Sequence, residues 1–246
     1  PAAESRRRGT GEVLGHRMPV TISVPVAVWG EWWGRFAAGY FAAIEEMTRK
    51  PDEIILGLEA DDQTGLRDRA EDLCSVPIRL VTLPEGGGFS EYWNAVFEAC
   101  SGEWVAPCCI DDRFLEDALV EVQAAEDAGA ELLVDAIRWK YRGGEWLGYW
   151  NPAEIGHTLT LPGAAPFRRS LYDRIGGFRS DIRWSDWAFY LDAAALGAPT
   201  YQASTVRILF DEGNDHATRS GVQVDPGERA AANAEIVALA ESLGLR

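Results

Sequence analysis

The sequence predicts an α/β domain with a mainly parallel central sheet and helices on both of its faces. In the first half of the chain, apolar β-branched runs alternate with helical patterns, and each run is closed by polar or glycine-rich residues. Such alternation is typical of parallel strands that are linked by helices. A length of 246 residues suffices for one domain of this kind and is short for two.

Four strands are predicted in this first half. They cover residues 20–28, 53–58 and 78–83, and an apolar run that begins at Val105. Helical patterns lie between them, at residues 36–47, 64–73 and 90–99. Ser90 is the predicted N-cap of the last of these helices. Because ligands bind beyond the carboxyl ends of the strands in an open α/β sheet, we expect functional residues at that edge.

The second half of the chain contains two further predicted strands and three helices. The strands cover residues 131–140 and 199–210, and the helices cover residues 167–175, 187–196 and 225–243. The last helix has Asp225 as its cap and Pro226 in its first turn, where both residue types are favoured. Three segments result: a flexible tail or cloning remnant at 1–17, one domain at 18–221, and a C-terminal helix packed on it at 222–246.

Composition argues against several functions. The formal net charge of −16 disfavours binding to bare nucleic acid or anionic lipid. No apolar run approaches the roughly 20 residues that a membrane span needs. The cysteines lack metal-ligand spacing and are interpreted as free thiols in a reducing compartment, which predicts a cytoplasmic location. They are Cys74, Cys100, Cys108 and Cys109.

Two adjacent carboxylates, Asp111 and Asp112, end the apolar run that begins at Val105, and a helical pattern follows from Leu115. At the end of a strand, such a pair suits a hard divalent cation that is shared with a phosphate-bearing ligand. Aspartate is also a favoured helix N-cap, so one of the pair could instead cap the helix behind it. From this stretch alone, the two interpretations carry equal weight.

Three blocks of sequence occur in a characteristic order and spacing. The first joins the strand that contains Pro25 to the acidic cluster after the second strand. The second is residues 94–119, NAVFEACSGEWVAPCCIDDRFLEDAL, and the third is residues 167–197, where Gly-Gly-Phe precedes an acidic residue that opens a helix. Together they resemble a family 2 glycosyltransferase of the GT-A fold. The resemblance implies a single domain with a nucleotide-binding half at about 18–119 and an acceptor half at about 120–221.

The resemblance also implies a divalent cation, Mg²⁺ or Mn²⁺, which stabilises a diphosphate leaving group. Asp111 is the expected metal ligand and Asp112 is the second. Cys109 stands where the family has another aspartate. His216 lies in a polar loop that matches a region where similar enzymes place a metal-ligating histidine, and a solvated loop residue is the alternative for it.

Asp186 is the expected catalytic base, because its place after Gly-Gly-Phe matches the acidic pair of the family, in which Ser185 replaces the usual glutamate. A base that acts in a single displacement implies inversion at the anomeric carbon. The alternative is that Ser185 or Asp186 caps the following helix.

Nucleotide recognition is assigned to the ends of the first two strands. Glu59, Asp61 and Asp62 compete for the acidic position there, and a solvated turn or a helix cap is the alternative for the two aspartates. The residues expected to bind the nucleotide-sugar are Pro25, Val26, Ala27, Glu59, Asp61, Asn94, Asp111 and Trp187. The first three would act through backbone groups, and the asparagine would fix the loop above the nucleotide.

The resemblance therefore implies an inverting, metal-dependent glycosyltransferase that uses a nucleotide-sugar, with a UDP-sugar as the favoured donor. The alternatives are a nucleotidyltransferase and a non-catalytic GT-A-like module that binds a sugar nucleotide or a glycan.

The candidate acceptors are a glycan, a small molecule, a protein and a hydroxylated base in phage DNA. His157 is a candidate substrate contact or an exposed loop residue. An aromatic group could stack on an acceptor or pack in the core, and it consists of Trp139, Trp146, Tyr149 and Trp150. A group of arginines could face a phosphate backbone, and it consists of Arg168, Arg169, Arg174, Arg179 and Arg183.

Overall fold

A computed structural model describes residues 18–29, 32–59, 66–140, 143–163, 165–210 and 225–245. The strands are β1 (Ile22–Val28), β2 (Glu53–Leu58), β3 (Ile78–Thr82), β4 (Trp104–Val105), β5 (Arg113–Phe114), β6 (Leu132–Trp139), β7 (Glu145–Leu147), β8 (Phe167–Arg168) and β9 (Thr200–Phe210). The helices are α1 (Trp32–Glu45), α2 (Leu66–Glu71), α3 (Phe89–Ala99), α4 (Val122–Asp127), α5 (Arg169–Ile175), α6 (Ser185–Ala195) and α7 (Pro226–Ser242).

All nine strands lie in one sheet, in the order β3-β2-β1-β4-β8-β6-β9-β5, and β7 pairs with β6. The longest ladders, β1 with β2, β2 with β3 and β6 with β9, are parallel. Short antiparallel pairs connect β4 and β6 to β8, β7 to β6, and β5 to β9. The predicted mainly parallel sheet is confirmed, and the antiparallel pairs make its second half mixed.

Helices cover both faces of the sheet, as the sequence predicts. On β1, Ile22, Val24 and Val26 point into one hydrophobic core together with the aromatic face of α1. Ala27 points into a second core, which α3, α5, α6 and α7 cover. Burial of β1 on both faces explains why its sequence is a continuous β-branched run and not an alternating one.

The apolar run that begins at Val105 forms much less strand than the sequence suggests. The β4 ladder ends when the Ala106 N–H donates to the Ser23 carbonyl at 2.9 Å, and Pro107 has no N–H with which to continue it. The prediction of a helix from Leu115 is also wrong. Residues 113–114 pair with β9, a turn follows, and α4 begins only at Val122.

Two cap predictions have opposite outcomes. Ser90 is not an N-cap, because Gly88 occupies that position and the buried Ser90 hydroxyl donates to the Arg179 carbonyl at 3.0 Å. Asp225 caps α7 as predicted, since its carboxylate accepts the N–H groups of Gly227 and Glu228. Helix α7 packs on α6 and contributes buried apolar residues to the second core. No helix in the described part of the chain is both long and apolar enough to cross a membrane.

Candidate active site

The strand order changes direction at β1, and the region beyond the carboxyl end of this strand is named the crevice. Strand β2 lies on one side of β1 and β4 on the other, so the chain is wound in opposite directions from this point. Pairing with β4 covers only Ile22 and Ser23, and the chain then leaves β1 after Ala106. In open α/β sheets such a switch point is the usual place for a ligand.

Asp111 and Asp112 lie in a turn at this crevice, close to Cys109. The thiol and one oxygen of each carboxylate lie within 4.8 Å of one another. The Asp112 N–H donates to the Cys109 carbonyl at 3.1 Å, which closes the turn. No helix starts here, so the helix-cap interpretation of the two aspartates is wrong.

The chemistry of this cluster suits a hard cation. Two carboxylates supply the oxygen ligands that Mg²⁺ and Mn²⁺ prefer. Burial raises the pKa of the Cys109 thiol well above its ordinary value, and the negative charges of Asp111 and Asp112 raise it further. Cys109 is therefore a neutral thiol in the metal-free protein, and it does not replace the charge of the carboxylate that similar enzymes carry at this position.

Asp186 lies in the first turn of α6, and its carboxylate accepts the Trp187 N–H at 2.8 Å. Burial raises its pKa, an effect that this hydrogen bond only partly offsets. The N-cap position belongs to Trp184, so neither Ser185 nor Asp186 is the cap residue. Asp186 also contributes to the raised pKa of Cys109, which places the carboxylate within electrostatic reach of the Asp111 turn.

Helix α6 anchors the loop at residues 151–166 above Asp186. The Trp187 indole donates to the Ile155 carbonyl at 2.6 Å, and its side chain is only 9% exposed. The Tyr190 hydroxyl donates to the Pro162 carbonyl at 2.7 Å and accepts the Ala165 N–H at 3.2 Å. The structure thus gives Trp187 a role in holding the loop.

Gly163 in this loop lies directly against the Asp186 carboxylate. A Cβ atom at position 163 would lie 2.4 Å from Asp186 Oδ2. We expect Gly163→Ala to fold normally, because the carboxylate can rotate away, and to lose about tenfold to a hundredfold of the activity proposed below, because the carboxylate is then misplaced. Turnover and thermal unfolding should be measured beside Gly34→Ala, since a Cβ there has no atom within 4 Å. Equal turnover in the two variants would contradict the expectation.

Asn94 on α3 holds the Gly-Gly-Phe segment between α5 and α6. Its amide nitrogen donates to the Phe178 carbonyl at 2.9 Å, and its oxygen accepts the Phe178 N–H at 2.8 Å and the Tyr172 hydroxyl at 3.1 Å. Gly177 passes beside this oxygen with φ of 94°, a conformation that favours glycine. Asn94 therefore couples the helix before the Asp111 turn to the segment that leads to Asp186.

For the other predicted nucleotide contacts, the structure shows less about how they could touch a ligand. Pro25, Val26 and Ala27 lie inside β1 with buried side chains, so only their backbone groups remain for a ligand. Glu59 follows β2 and accepts the Tyr92 hydroxyl at 3.1 Å. Three predicted residues lie outside the described residues, namely Asp61, Asp62 and His216.

Trp29 and Tyr92 form an aromatic pair beside the end of β1 that the sequence prediction missed. Their ring centroids are 5.5 Å apart, and Trp32 packs on Trp29 at 5.0 Å. Aromatic faces of this kind stack on bases. A signal was present in the sequence, since tryptophans follow the first strand at once.

The aromatic group of Trp139, Trp146, Tyr149 and Trp150 contains both packed and exposed side chains. Trp139 and Trp146 stack at 6.5 Å and are partly buried against the core. Tyr149 is 44% exposed, and its hydroxyl donates to Glu154 at 2.8 Å. His157 is exposed in the same loop. Tyr149, and His157 outside the aromatic group, are thus accessible to a substrate.

The five arginines of the acceptor half do not form an unpaired basic patch. Each one makes a salt bridge with a carboxylate. The pairs are Arg168–Glu126, Arg169–Asp173, Arg174–Glu131, Arg179–Asp192 and Arg183–Glu228. Paired charges attract a phosphate backbone weakly, so this surface gives no support to a nucleic-acid acceptor.

In sequence the chain is similar to a protein named a glycosyltransferase, and in structure it is similar to a mannosyltransferase. No protein-family model matches the chain. In sequence it is similar to YwdF of Bacillus subtilis (strain 168), named an uncharacterized glycosyltransferase, at 26% identity over 166 residues. The match covers 62% of this chain and 60% of YwdF, so the chain spans about three fifths of the length of this relative.

In structure the chain is similar to residues 1–349 of S. aureus TarS in complex with UDP-GlcNAc, with a TM-score of 0.68 and 14% identity. This match covers 89% of the chain and 66% of the TarS fragment. The chain has the GT-A fold. A mannosyltransferase of the same fold, PcManGT from Pyrobaculum calidifontis in complex with GDP-Man and Mn²⁺, matches with a TM-score of 0.62 and 17% identity, over 92% of this chain and 74% of that one. The predicted resemblance to glycosyltransferases is confirmed.

Proposed function

We propose that the protein transfers a sugar from a nucleotide-sugar to an acceptor hydroxyl, with inversion at the anomeric carbon. One observation supports the proposal: in a GT-A fold, Asp111 and Asp112 cluster with Cys109, and the negative charge of Asp186 acts on the same Cys109 thiol. One acidic group of this arrangement serves the diphosphate and the other serves the acceptor.

Asp111 and Asp112 would hold a divalent cation, Mg²⁺ or Mn²⁺, with His216 as a further proposed ligand. Such a cation, when bound, stabilises the negative charge of a diphosphate leaving group. The PcManGT complex contains Mn²⁺, which supports a metal in this fold.

Asp186 would accept the proton of the acceptor hydroxyl as the acceptor oxygen bonds to the anomeric carbon. The bond between that carbon and the diphosphate breaks, and the nucleoside diphosphate leaves with the electron pair. A half-buried carboxylate with a raised pKa is a stronger base than a fully exposed one, which suits this step. Attack on the face opposite the departing diphosphate gives inversion.

A UDP-sugar is the proposed donor, because TarS is in complex with UDP-GlcNAc. A GDP-sugar is the second candidate, because PcManGT is in complex with GDP-Man. Backbone groups of Pro25, Val26 and Ala27, with Glu59 or Asp61, remain the proposed nucleotide contacts. Trp29 and Tyr92 add aromatic faces at the same end of β1. Free buried or half-buried thiols accord with the cytoplasmic location that we propose.

The proposal is tested by incubating the protein with UDP-GlcNAc, other UDP-sugars and GDP-Man in the presence of Mn²⁺. We expect slow release of nucleoside diphosphate with one donor, because water replaces the missing acceptor. Binding without release would favour a non-catalytic sugar-nucleotide-binding module. Thermal shifts with and without Mn²⁺ identify the donor that binds.

Cys109→Asp is expected to tighten Mg²⁺ binding about tenfold, because it adds the third carboxylate that the cluster lacks and affinity rises with ligand charge. Isothermal titration with Mg²⁺ in the presence of UDP measures the change. Cys109→Ser is the matched control, since it removes the thiol without adding charge, and it should give no gain. Similar affinities for the aspartate and serine variants would argue against a cation at this cluster.

A further inference from the structure

Arg207 is a completely buried arginine on β9 that the proposed chemistry leaves unused. Its Nε donates to Asp135 on β6, and each of these two side chains is 1% exposed. A buried ion pair of this kind costs desolvation energy and contributes little net stability. Its contact with the backbone just before the Asp111-Asp112 turn points to a role other than overall stability.

Further contacts of Arg207 lie on the segment that carries Asp111 and Asp112. One guanidinium nitrogen donates to the Pro107 carbonyl at 3.2 Å, just before the turn. The guanidinium carbon lies 5.6 Å from the centroid of the Phe114 ring, just after it. The Arg207 carbonyl accepts the Leu115 N–H at 2.9 Å. A single residue therefore fixes both ends of the segment at 107–115.

Asp135 completes the arrangement, because its carboxylate fixes the direction in which the planar guanidinium points. An arginine can satisfy a carboxylate and a carbonyl at once through its several N–H groups, and it can also stack on a ring. A lysine offers one ammonium group in place of this planar fork. The contact with Pro107 thus depends on the chemistry of arginine as well as on its charge.

We propose that Arg207 is a positioning residue that holds Asp111 and Asp112 in the geometry required for a divalent cation. The inference rests on the proposed metal site. Groups that orient metal ligands without touching the metal typically change metal affinity tenfold to a hundredfold when they are altered. Arg207 acts on the ligands through the backbone at the two ends of their turn.

The test compares the wild type with Arg207→Lys, which keeps a positive charge beside Asp135. Mn²⁺ binding is measured from the electron paramagnetic resonance signal of the free ion, with and without UDP. We expect about tenfold weaker binding in the variant. Hydrogen exchange of the peptide that covers residues 107–115 should be about tenfold faster in the variant, without a matching change elsewhere in the chain.

A second variant distinguishes the loss of the contact with Pro107 from a folding defect. Arg207→Met combined with Asp135→Leu replaces the ion pair by apolar side chains of similar size, which proteins often tolerate, and it removes the bond to Pro107. We expect the same loss of Mn²⁺ affinity in this variant. Arg168→Lys is the control, because Arg168 also joins a carboxylate, Glu126, to a backbone carbonyl, that of Ala130, but has no contact with the turn. Its Mn²⁺ affinity should equal that of the wild type.

The outcomes separate this inference from the proposed function. Wild-type Mn²⁺ affinity and unchanged local exchange in the folded Arg207 variants would overturn the inference. Absence of Mn²⁺ binding in the wild type would overturn the proposed metal site, and hydrogen exchange alone would then decide whether Arg207 holds the turn. Equal losses in the Arg168 control would show a general effect of destabilisation and would also overturn the inference.

Discussion

Asp186→Asn is expected to reduce sugar transfer by about 10²–10⁴-fold, because asparagine cannot accept the proton of the acceptor hydroxyl. The dissociation constant of the donor should change little, since the proposed contacts of the diphosphate and the nucleotide are other residues, namely Asp111, Asp112 and the ends of β1 and β2. Initial rates and isothermal titration with the donor measure the two effects. In the wild type, the rate should fall as the pH drops through the raised pKa of Asp186, because only the ionised carboxylate acts as a base.

The same variant should be more stable than the wild type at neutral pH. Burial raises the pKa of Asp186 in the folded protein above its unfolded value, so ionisation is disfavoured in the fold. The resulting cost is absent at acidic pH, where both states are protonated, and it grows as the pH rises through the unfolded and then the folded pKa. The difference in thermal unfolding temperature between Asp186→Asn and the wild type should therefore increase as the pH rises from about 3 to about 7. This range begins below the ordinary carboxyl pKa of about 4 and ends above it.

Asp181→Asn is the control for both effects, because Asp181 is an exposed carboxylate shortly before α6. It should leave turnover and stability nearly unchanged. A wild-type rate in Asp186→Asn would remove Asp186 from the mechanism. A loss of rate together with lower stability at neutral pH would mean that its role is structural.

Asp111→Asn is expected to have the second largest effect, a loss of divalent cation binding together with about a hundredfold loss of turnover. The variant lacks the carboxylate charge that is proposed to hold the cation, so the leaving group is less stabilised in the transition state. A hundredfold lower rate corresponds to an activation free energy that is higher by about 3 kcal/mol. Titration with Mn²⁺ in the presence of UDP and initial rates across Mn²⁺ concentrations provide the measurements. Part of the rate should return at high Mn²⁺ concentration, because Asp112 remains.

The matched control is Glu116→Gln, which removes an exposed carboxylate shortly after the turn and outside the cluster. It should bind Mn²⁺ as the wild type does. If Asp111→Asn and Glu116→Gln have the same Mn²⁺ affinity, the cation site is elsewhere.

The parts of the fold that depend on local chemistry were predictable from the sequence. Burial on both faces made β1 a continuous apolar run, and Asp225 followed by Pro226 marked the start of α7. The apolar run from Val105 was wrongly predicted to form a long strand, because apolar residues indicate burial and do not by themselves indicate pairing with another strand. Its residues are buried in a non-strand segment, since Pro107 cannot continue a ladder.

The sequence indicated which residue types belong to the candidate site, but it did not indicate what several of these residues contact. Asp111 and Asp112 were singled out at the end of an apolar run and Asp186 from the family resemblance. The buried indole of Trp187 and the three hydrogen bonds of Asn94 depend on partners far away in the sequence. Asp135 and Arg207 were missed because a charge within an apolar strand pattern gives no hint of its partner 72 residues away.

The pairing of β5 with β9 has a consequence for protein engineering. A chimaera that joined residues 18–119 of this chain to the second half of a different GT-A protein would transplant Asp111 and Asp112 without the strand that pairs with β5, next to their turn. Exchange of acceptor specificity should therefore preserve residues 207–209 of β9 and replace the loop at residues 151–166 instead. The practical boundary for such a graft follows the hydrogen bonds of the sheet and does not coincide with the midpoint of the chain.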